Sequence, residues 1–223
     1  MNIKNIVERA LDLFFPPKCG MCGKIGDSYL CNKCTILQTQ LQINKHEIVY
    51  DKYFNEILFI YEYKDIIRDV LINYKFNDKS YICRTFAQAM CDNDKVNEYI
   101  ENFDYIVPVP LSRKRLTKRG YNQVELILRM YIKNKEKCNI NGVYSLIKKR
   151  EIKPQSTLNK NDRATNIMGA FSINRNSKYC YDTEKKILIV DDIYTTGSTI
   201  NECARILREF GFESIGVLAI AKD

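Results

Sequence analysis

The sequence predicts an α/β domain built on a mainly parallel sheet flanked by helices, preceded by a small cysteine-bearing module. Three observations carry this expectation. Ile187-Leu188-Ile189-Val190 is an unbroken branched apolar run, which suits a strand covered on both faces. Beyond it, Ile200, Cys203, Ala204, Leu207 and Phe210 recur at helical spacing, so strand, loop and helix follow one another as in a βα unit. Near the other end, Cys19-x-x-Cys22 and Cys31-x-x-Cys34 stand together ahead of the first strand pattern.

The chain begins with a helical stripe of Ile3, Ile6, Val7, Ala10, Leu11 and Phe14, stopped by Pro16-Pro17. Such a stripe can face a membrane or a partner, but it lacks a basic lipid-facing side, and packing against its own domain is the favoured reading. The two Cys-x-x-Cys knuckles can bring four thiolates to one tetrahedral point, with Gly20, Gly23 and Gly26 supplying turns. A disulfide pair would fit a secreted protein, and a redox Cys-x-x-Cys usually occurs once beside a βαβ unit. Structural zinc held by Cys19, Cys22, Cys31 and Cys34 is therefore expected, in a closed site that builds fold and does no chemistry. Cys83, Cys91, Cys138, Cys180 and Cys203 lack such spacing and read as incidental thiols.

A polar connector, around Gln38 to Glu47, separates a module over residues 1–45 from a main domain over 46–223. His46, in that connector, reads as a surface residue. Ile57, Phe59, Tyr61 and Tyr63 alternate as a half-buried strand. Asp65 is placed to cap a helix carrying Ile66, Ile67, Val70, Leu71 and Tyr74, and a second helix is expected from about Tyr81 to Cys91. A short strand then runs from Asp104 into Pro108 and Pro110, followed by a densely basic loop with Arg113, Lys114, Arg115, Lys118 and Arg119, and a helix from about Asn122. These five charges suit a pyrophosphate; a solvated basic loop is the alternative, and the rigid Pro-x-Pro approach favours anion binding. The stretch Lys148 to Asn166 is polar, basic and weakly periodic, as expected of a long lid-like loop.

The most informative stretch is Val190-Asp191-Asp192-Ile193-Tyr194-Thr195-Thr196-Gly197-Ser198-Thr199. It lies between the apolar run and its helix, at the sheet edge where open α/β folds take their ligands. Ser198 or Thr199 can cap the helix and Gly211 can end it. Hydroxyls and backbone N–H groups at such a helix start make a phosphate cradle, and Gly197 allows close approach. Asp191 and Asp192 would repel that phosphate, so another role is needed: accepting hydrogen bonds from a vicinal diol. Phosphate cradle and diol acceptors together describe a ribose 5-phosphate site.

Composition sets the outer bounds. With 223 residues, 45% hydrophobic and 28% charged, the chain has room for one α/β domain and a small appendage. No apolar run reaches the length of a membrane span and no signal pattern opens the chain, so a cytoplasmic protein is expected. A net charge of +8 favours acidic partners, whether small-molecule phosphates or nucleic acid.

The acidic pair followed by Thr-Thr-Gly-x-Thr resembles the phosphoribosyl pyrophosphate (PRPP) motif of type I phosphoribosyltransferases. The whole order resembles the ComF family (ComFC-type competence proteins): four cysteines, Val-Pro-Val-Pro-Leu, Arg-Gly-Tyr-Asn-Gln, Lys-Pro-Gln with Arg163 and Asn166, Gly169-Ala170-Phe171 and the PRPP motif. The resemblance implies a type I phosphoribosyltransferase-like parallel-core sheet, a role in DNA uptake during natural transformation, and a helicase-like ComFA-type partner. It also implies site roles. Asp191 and Asp192 would hold the ribose hydroxyls, and Thr195, Thr196, Gly197, Ser198 and Thr199 the 5-phosphate. Leu111, Ser112 and Arg113 fall in the pyrophosphate loop, Arg113 helping the anion depart, and Arg150, Gln155 and Arg163 fall in the flexible loop. Magnesium would bridge ribose and pyrophosphate oxygens. The PRPP part is also similar to the transferase half of amidophosphoribosyltransferase, but no glutaminase domain or N-terminal cysteine accompanies it, so glutamine-dependent amination is not expected. Three readings stand at this point: an enzyme transferring phosphoribose to an acceptor; a PRPP-sensing or single-stranded-DNA-binding factor without turnover; and a structural adaptor for a helicase.

Overall fold

A computed structural model describes residues 16–135, 146–148, 167, 169–173 and 182–223, the stretch 146–148 by its backbone alone. The expected N-terminal stripe, Cys138, Cys180, the lid-like loop beyond Lys148 and its residues Arg150, Gln155 and Arg163 lie outside the described residues.

Helix α1 (Asn32–Leu41) leads directly into β1 (Gln42–Ile48). Then come β2 (Glu56–Glu62), α2 (Asp65–Phe76), α3 (Ile82–Cys91), α4 (Asp94–Glu101), β3 (Tyr105–Pro108), α5 (Arg113–Arg119) and α6 (Gln123–Asn134). The chain continues through β4 (Leu146–Lys148), β5 (Phe171–Ile173), β6 (Ile187–Tyr194), α7 (Ser198–Phe210) and β7 (Ile215–Lys222). Five strands form one sheet in the order β1-β2-β7-β6-β3. The pairs β2/β7, β7/β6 and β6/β3 are parallel, and only β1 runs antiparallel, at the edge. β4 and β5 form a separate antiparallel pair. The architecture is the expected mixed α/β arrangement, a mostly parallel sheet flanked by helices with a four-cysteine cluster at its N-terminal side.

The sheet is covered on both faces, which is why its central strands are continuous apolar runs. One face buries Leu58, Ile60, Ile106, Leu188, Val190 and Leu218 against Val70, Leu71 and Tyr74 of α2, Phe86 and Met90 of α3, Ile100 of α4 and Ile127 and Leu128 of α6. The other buries Ile57, Phe59, Val107, Ile189 and Val217 against Ile200, Cys203, Ala204 and Leu207 of α7, with Phe171 of β5. Buried Glu202 on α7 accepts a hydrogen bond from the Gly169 N–H at 2.6 Å, tying the approach to β5 to this helix.

Several elements differ from expectation. β2 is buried on both faces, because Leu58 and Ile60 face one core while Ile57 and Phe59 face the other. The polar connector is the end of α1 followed by β1, which already pairs with β2 at Gln42, so a division at 45/46 falls inside a strand. His46 sits on that strand with Nε2 2.7 Å from Glu56 Oε2 and its ring edge-on to Tyr99. Asp65 does not cap α2; it is the first helical residue, at φ 46°, and Lys64 is the N-cap. The basic segment is a helix, α5, begun by a hydrogen bond from the Arg115 N–H to Ser112 Oγ and ended by left-handed Gly120. Strand β6 continues through both aspartates to Tyr194, and α7 is capped by Gly197 without a side-chain bond, while Gly211 ends it as expected.

Candidate functional site

The parallel register brings the carboxyl ends of β2, β7, β6 and β3 to one edge. There a cavity of about 280 Å³ opens between the end of β6 and the helices α2, α5 and α6. Its wall includes Asp191, Asp192, Ile193, Thr195 and Thr199 from the β6–α7 stretch, Val109, Pro110 and Leu111 from the exit of β3, and Lys75, Arg115, Arg119 and Gln123 from the helices. Of the residues expected to bind ligand, Asp191, Asp192, Thr195, Thr199 and Leu111 thus share this wall. Thr196, Gly197, Ser198, Ser112 and Arg113 are not part of it. Arg113 is exposed as the first residue of α5, whereas Arg115 and Arg119, one helical turn apart, are half-buried on the side that lines the cavity.

The aspartates have unlike surroundings. Asp192 is matched by Lys75, whose Nζ donates to Oδ1 at 2.9 Å, both side chains being largely buried. Asp191 receives the Asp192 N–H at 2.9 Å on its Oδ1. Burial and the adjacent Asp192 charge push the Asp191 carboxyl up to about 8, against the opposing pull of Lys75. Asp192 thus sits beside an ammonium, while burial and the neighbouring carboxylate oppose charge on Asp191.

The loop after β6 is compact. Thr196 Oγ1 and Ser198 Oγ share a hydrogen bond at 2.8 Å. Gly197 has φ 72°, and a Cβ placed there would meet the Tyr194 hydroxyl oxygen at 2.5 Å and ring carbons at 2.6 and 2.7 Å. The glycine is required twice, by its conformation and by the ring against it. Tyr194 is itself held edge-on to Phe59 at 5.2 Å. Gly197→Ala should therefore destabilise the protein by about 1–3 kcal/mol, read as a fall in melting temperature, because both conformational strain and a clash oppose it.

Another part of the wall is set by the start of α6. Asn122 caps the helix, its Oδ1 accepting the N–H groups of Val124 and Glu125, while its Nδ2 donates to the Val109 carbonyl at 3.0 Å. That bond fixes the exit of β3 where Pro110 and Leu111 line the cavity. Tyr121 stacks on Tyr74 and its hydroxyl donates to the Tyr74 carbonyl, joining α6 to α2. Lys75 and Gln123 escaped sequence reading. Lys75 is the last-turn cation of an ordinary amphipathic helix, and nothing local links it to a carboxylate 117 positions away.

A second cluster lies in the N-terminal module. The Sγ atoms of Cys19, Cys22, Cys31 and Cys34 all lie within 4.8 Å of one another, and Cys22 and Cys31 are 3.8 Å apart. A tetrahedral zinc site with bonds of ~2.3 Å has edges of about 3.8 Å, so the donor set fits that ion. Burial opposes ionisation of Cys19, but hydrogen bonds from the backbone at Cys22, Cys31 and Met21 outweigh it and bring this thiol down to about 7. Such bonds prepare a thiolate for a cation. The module is joined to α3: Thr85 Oγ1 accepts the Gly20 N–H and donates to the Tyr29 carbonyl, and Arg84 lies over the Tyr29 ring. Cys19, Leu30 and Cys34 pack on Ala89.

Comparison with known proteins agrees with this arrangement. Residues 146–223, which contain β6, α7 and β7, match the phosphoribosyl transferase domain family. The chain is 29% identical to competence protein F of Haemophilus influenzae over 212 residues, covering 92% of this chain and 85% of that protein. It is also 29% identical to competence protein ComFC of Streptococcus pneumoniae over 163 residues, 73% of this chain and 66% of that one. A purine phosphoribosyltransferase from Pyrococcus horikoshii superposes with a TM-score of 0.34 at 17% identity, covering 61% of this chain and 69% of that one. The class is therefore that of proteins with a phosphoribosyltransferase domain. Its relatives by sequence are competence proteins of the ComF/ComFC type, at 29% identity.

Among the described residues no helix is long and apolar enough to cross a membrane.

Proposed function

We propose that the cavity binds PRPP with magnesium, and that the protein transfers phosphoribose from it to an acceptor with release of pyrophosphate, in the service of DNA uptake during natural transformation. The observation that carries this reading is the joining of Asp191, Asp192, Thr195 and Thr199 with Lys75, Arg115 and Arg119 around one cavity. Acidic acceptors and cations thus share one wall, which matches a ligand whose ribose diol lies next to a pyrophosphate. Asp191 and Asp192 accept the ribose hydroxyls, and the Thr195–Thr199 loop takes the 5-phosphate at the start of α7. As pyrophosphate leaves, positive charge grows on the ribose ring and negative charge on the departing oxygens. The carboxylates steady the first, and Arg115 and Arg119 the second. Asp192 already has Lys75 for a counter-ion, so magnesium would be held chiefly by ligand oxygens and water, supplying charge neutralisation to the leaving group.

The role in DNA uptake is supported by the names of the relatives, which are competence proteins. Contact with single-stranded DNA is the second reading, supported by exposed Arg113, Lys114 and Lys118 on α5, beside the cavity wall. In the groove between the N-terminal module and the domain, the lining charges Arg84 and Lys133 are offset by Asp27 and Asp92.

The test is a thermal shift with PRPP and magnesium, followed by a pyrophosphate-release assay with candidate acceptors. Ligand at a hundred times its Kd adds about 2.7 kcal/mol, a rise of roughly 5–10 °C for a chain of this size. No shift at millimolar PRPP would remove the phosphoribose reading. A shift without pyrophosphate release for any acceptor would leave a sensor, and salt-sensitive oligonucleotide binding would then carry the function.

A further inference from the structure

Gln123 is 1% exposed and lines the cavity, yet its Nε2 is, among the described residues, the one buried side-chain nitrogen or oxygen without a hydrogen-bond partner. Its orientation is not free. The amide Oε1 accepts from Arg119 Nη1 at 3.1 Å, and turning the amide over would set two donors against each other. The main chain is held as well, because the Tyr74 hydroxyl donates to the Gln123 carbonyl at 2.8 Å. Arg119 is steadied in turn, its guanidinium lying over the Phe76 ring at 5.1 Å. Leaving a buried donor unmatched costs stability, and a protein retains such a group where something else supplies the acceptor.

We propose that Gln123 Nε2 and the Arg119 guanidinium form a rigid two-donor clamp for an oxyanion, and that the oxyanion it takes is the pyrophosphate end of the ligand. The inference rests on the PRPP reading of the cavity. Both groups on this clamp offer only donors to the cavity, and Arg115 adds a second positive charge beside it. An acceptor-rich, negatively charged group fits those donors; a ribose hydroxyl, which also needs an acceptor, is better served by Asp191 and Asp192 of the same cavity. Gln123 thereby acts as a discriminating residue, favouring ligands that carry pyrophosphate over those that end in the sugar phosphate.

The experiment is titration calorimetry of the full chain with PRPP, ribose 5-phosphate and inorganic pyrophosphate, each with magnesium, on the wild type and on Gln123→Met and Gln123→Glu. Methionine keeps the volume and removes the donor. Affinity for PRPP and for pyrophosphate should fall about tenfold in Gln123→Met, the value of one hydrogen bond to a charged group, with ribose 5-phosphate changed less than about twofold. Gln123→Glu should cost both pyrophosphate-bearing ligands more, because a carboxylate replaces the donor. Equal losses for all three ligands would mean a purely structural glutamine, and no loss would mean an unused donor; either result overturns the clamp. If the wild type binds neither PRPP nor ribose 5-phosphate, the phosphoribose reading fails by itself. Pyrophosphate binding that is lost in Gln123→Glu would then still uphold the clamp, and its absence in the wild type would end it.

Discussion

Asp191→Asn should make the unliganded protein more stable at pH 8 while weakening PRPP binding, and Asp192→Asn should weaken binding and stability together. The contrast follows from the partners of each carboxylate. Asp191 has its pKa pushed up to about 8, first by burial and then by the charge of Asp192. An unfolded aspartate titrates near ~3.9, so between about pH 4 and pH 8 the folded state holds a proton that the unfolded state has lost. Stability from this group is therefore full below the unfolded pKa and declines as pH rises through that window. Asparagine cannot titrate and removes the decline. The variant and the wild type should differ by about 1.5 kcal/mol at pH 5 and diverge further toward pH 8, where each 1 kcal/mol is worth about 2–4 °C. Asp192→Asn instead strands Lys75, whose ammonium is 2.9 Å away and whose side chain is 17% exposed. Removing one partner of such a pair costs about 3 kcal/mol. For the ligand both changes replace an acceptor of ribose hydroxyls by a neutral amide, and for Asp191 the charged acceptor is the form it takes above about pH 8. Together they should reduce PRPP affinity at least a hundredfold, the scale of two charge-assisted hydrogen bonds. Melting curves from pH 5 to 9, with and without PRPP, check all three expectations. A pH-independent difference between Asp191→Asn and wild type would remove the proton from Asp191, and retained binding in the double variant would remove the diol role.

That a site should be held at a cost to the resting fold explains why its centre was legible in the sequence and its walls were not. Val190-Asp191-Asp192 followed by Thr195-Thr196-Gly197 is a local arrangement, since one strand and one turn position all of it. Gly211 at φ 117° and the start of α6 near Asn122 are local too, and both were placed correctly. What failed was non-local or lacked an apolar stripe. α5 contains Leu116 as its only aliphatic residue and that side chain is exposed, so no periodicity marks it; Ser112 and Gly120 at its ends hold it. β1 is a polar edge strand whose side chains are nowhere fully buried, so it has no alternation to read. Its junction with α1 is secured by Gln38, buried, accepting from the Tyr61 hydroxyl on β2. Lys75 and Gln123 acquire meaning only when α2 and α6 are folded over the end of β6.

Removing the metal from the four-cysteine cluster should lower the melting temperature of the whole protein by roughly 10 °C or more, since a structural zinc contributes its binding energy to folding. Zinc is our reading of the cluster, and the expected stoichiometry is one ion per chain, released on titration of four thiols. Without a cation, four thiolates within 4.8 Å would repel, and protonation would remove the donors that the backbone prepares at Cys19. The loss should spread because the module is not a pendant. Thr85 satisfies the Gly20 N–H and the Tyr29 carbonyl at once, and a Cβ on Gly20 would collide with that threonine. Thr85 is 2% exposed on α3, a helix whose other side, through Phe86 and Met90, belongs to the core that supports α2 and α6. Thr85→Val should therefore destabilise by about 1 kcal/mol, since the Gly20 N–H and the Tyr29 carbonyl keep only the 3.2 Å bond between them, while the ion stays bound. A chelator that leaves melting unchanged would overturn the metal reading. A transition that splits in two, with the PRPP-dependent part unmoved, would show that the Thr85 contacts hold the module in place without sharing its stability with the domain.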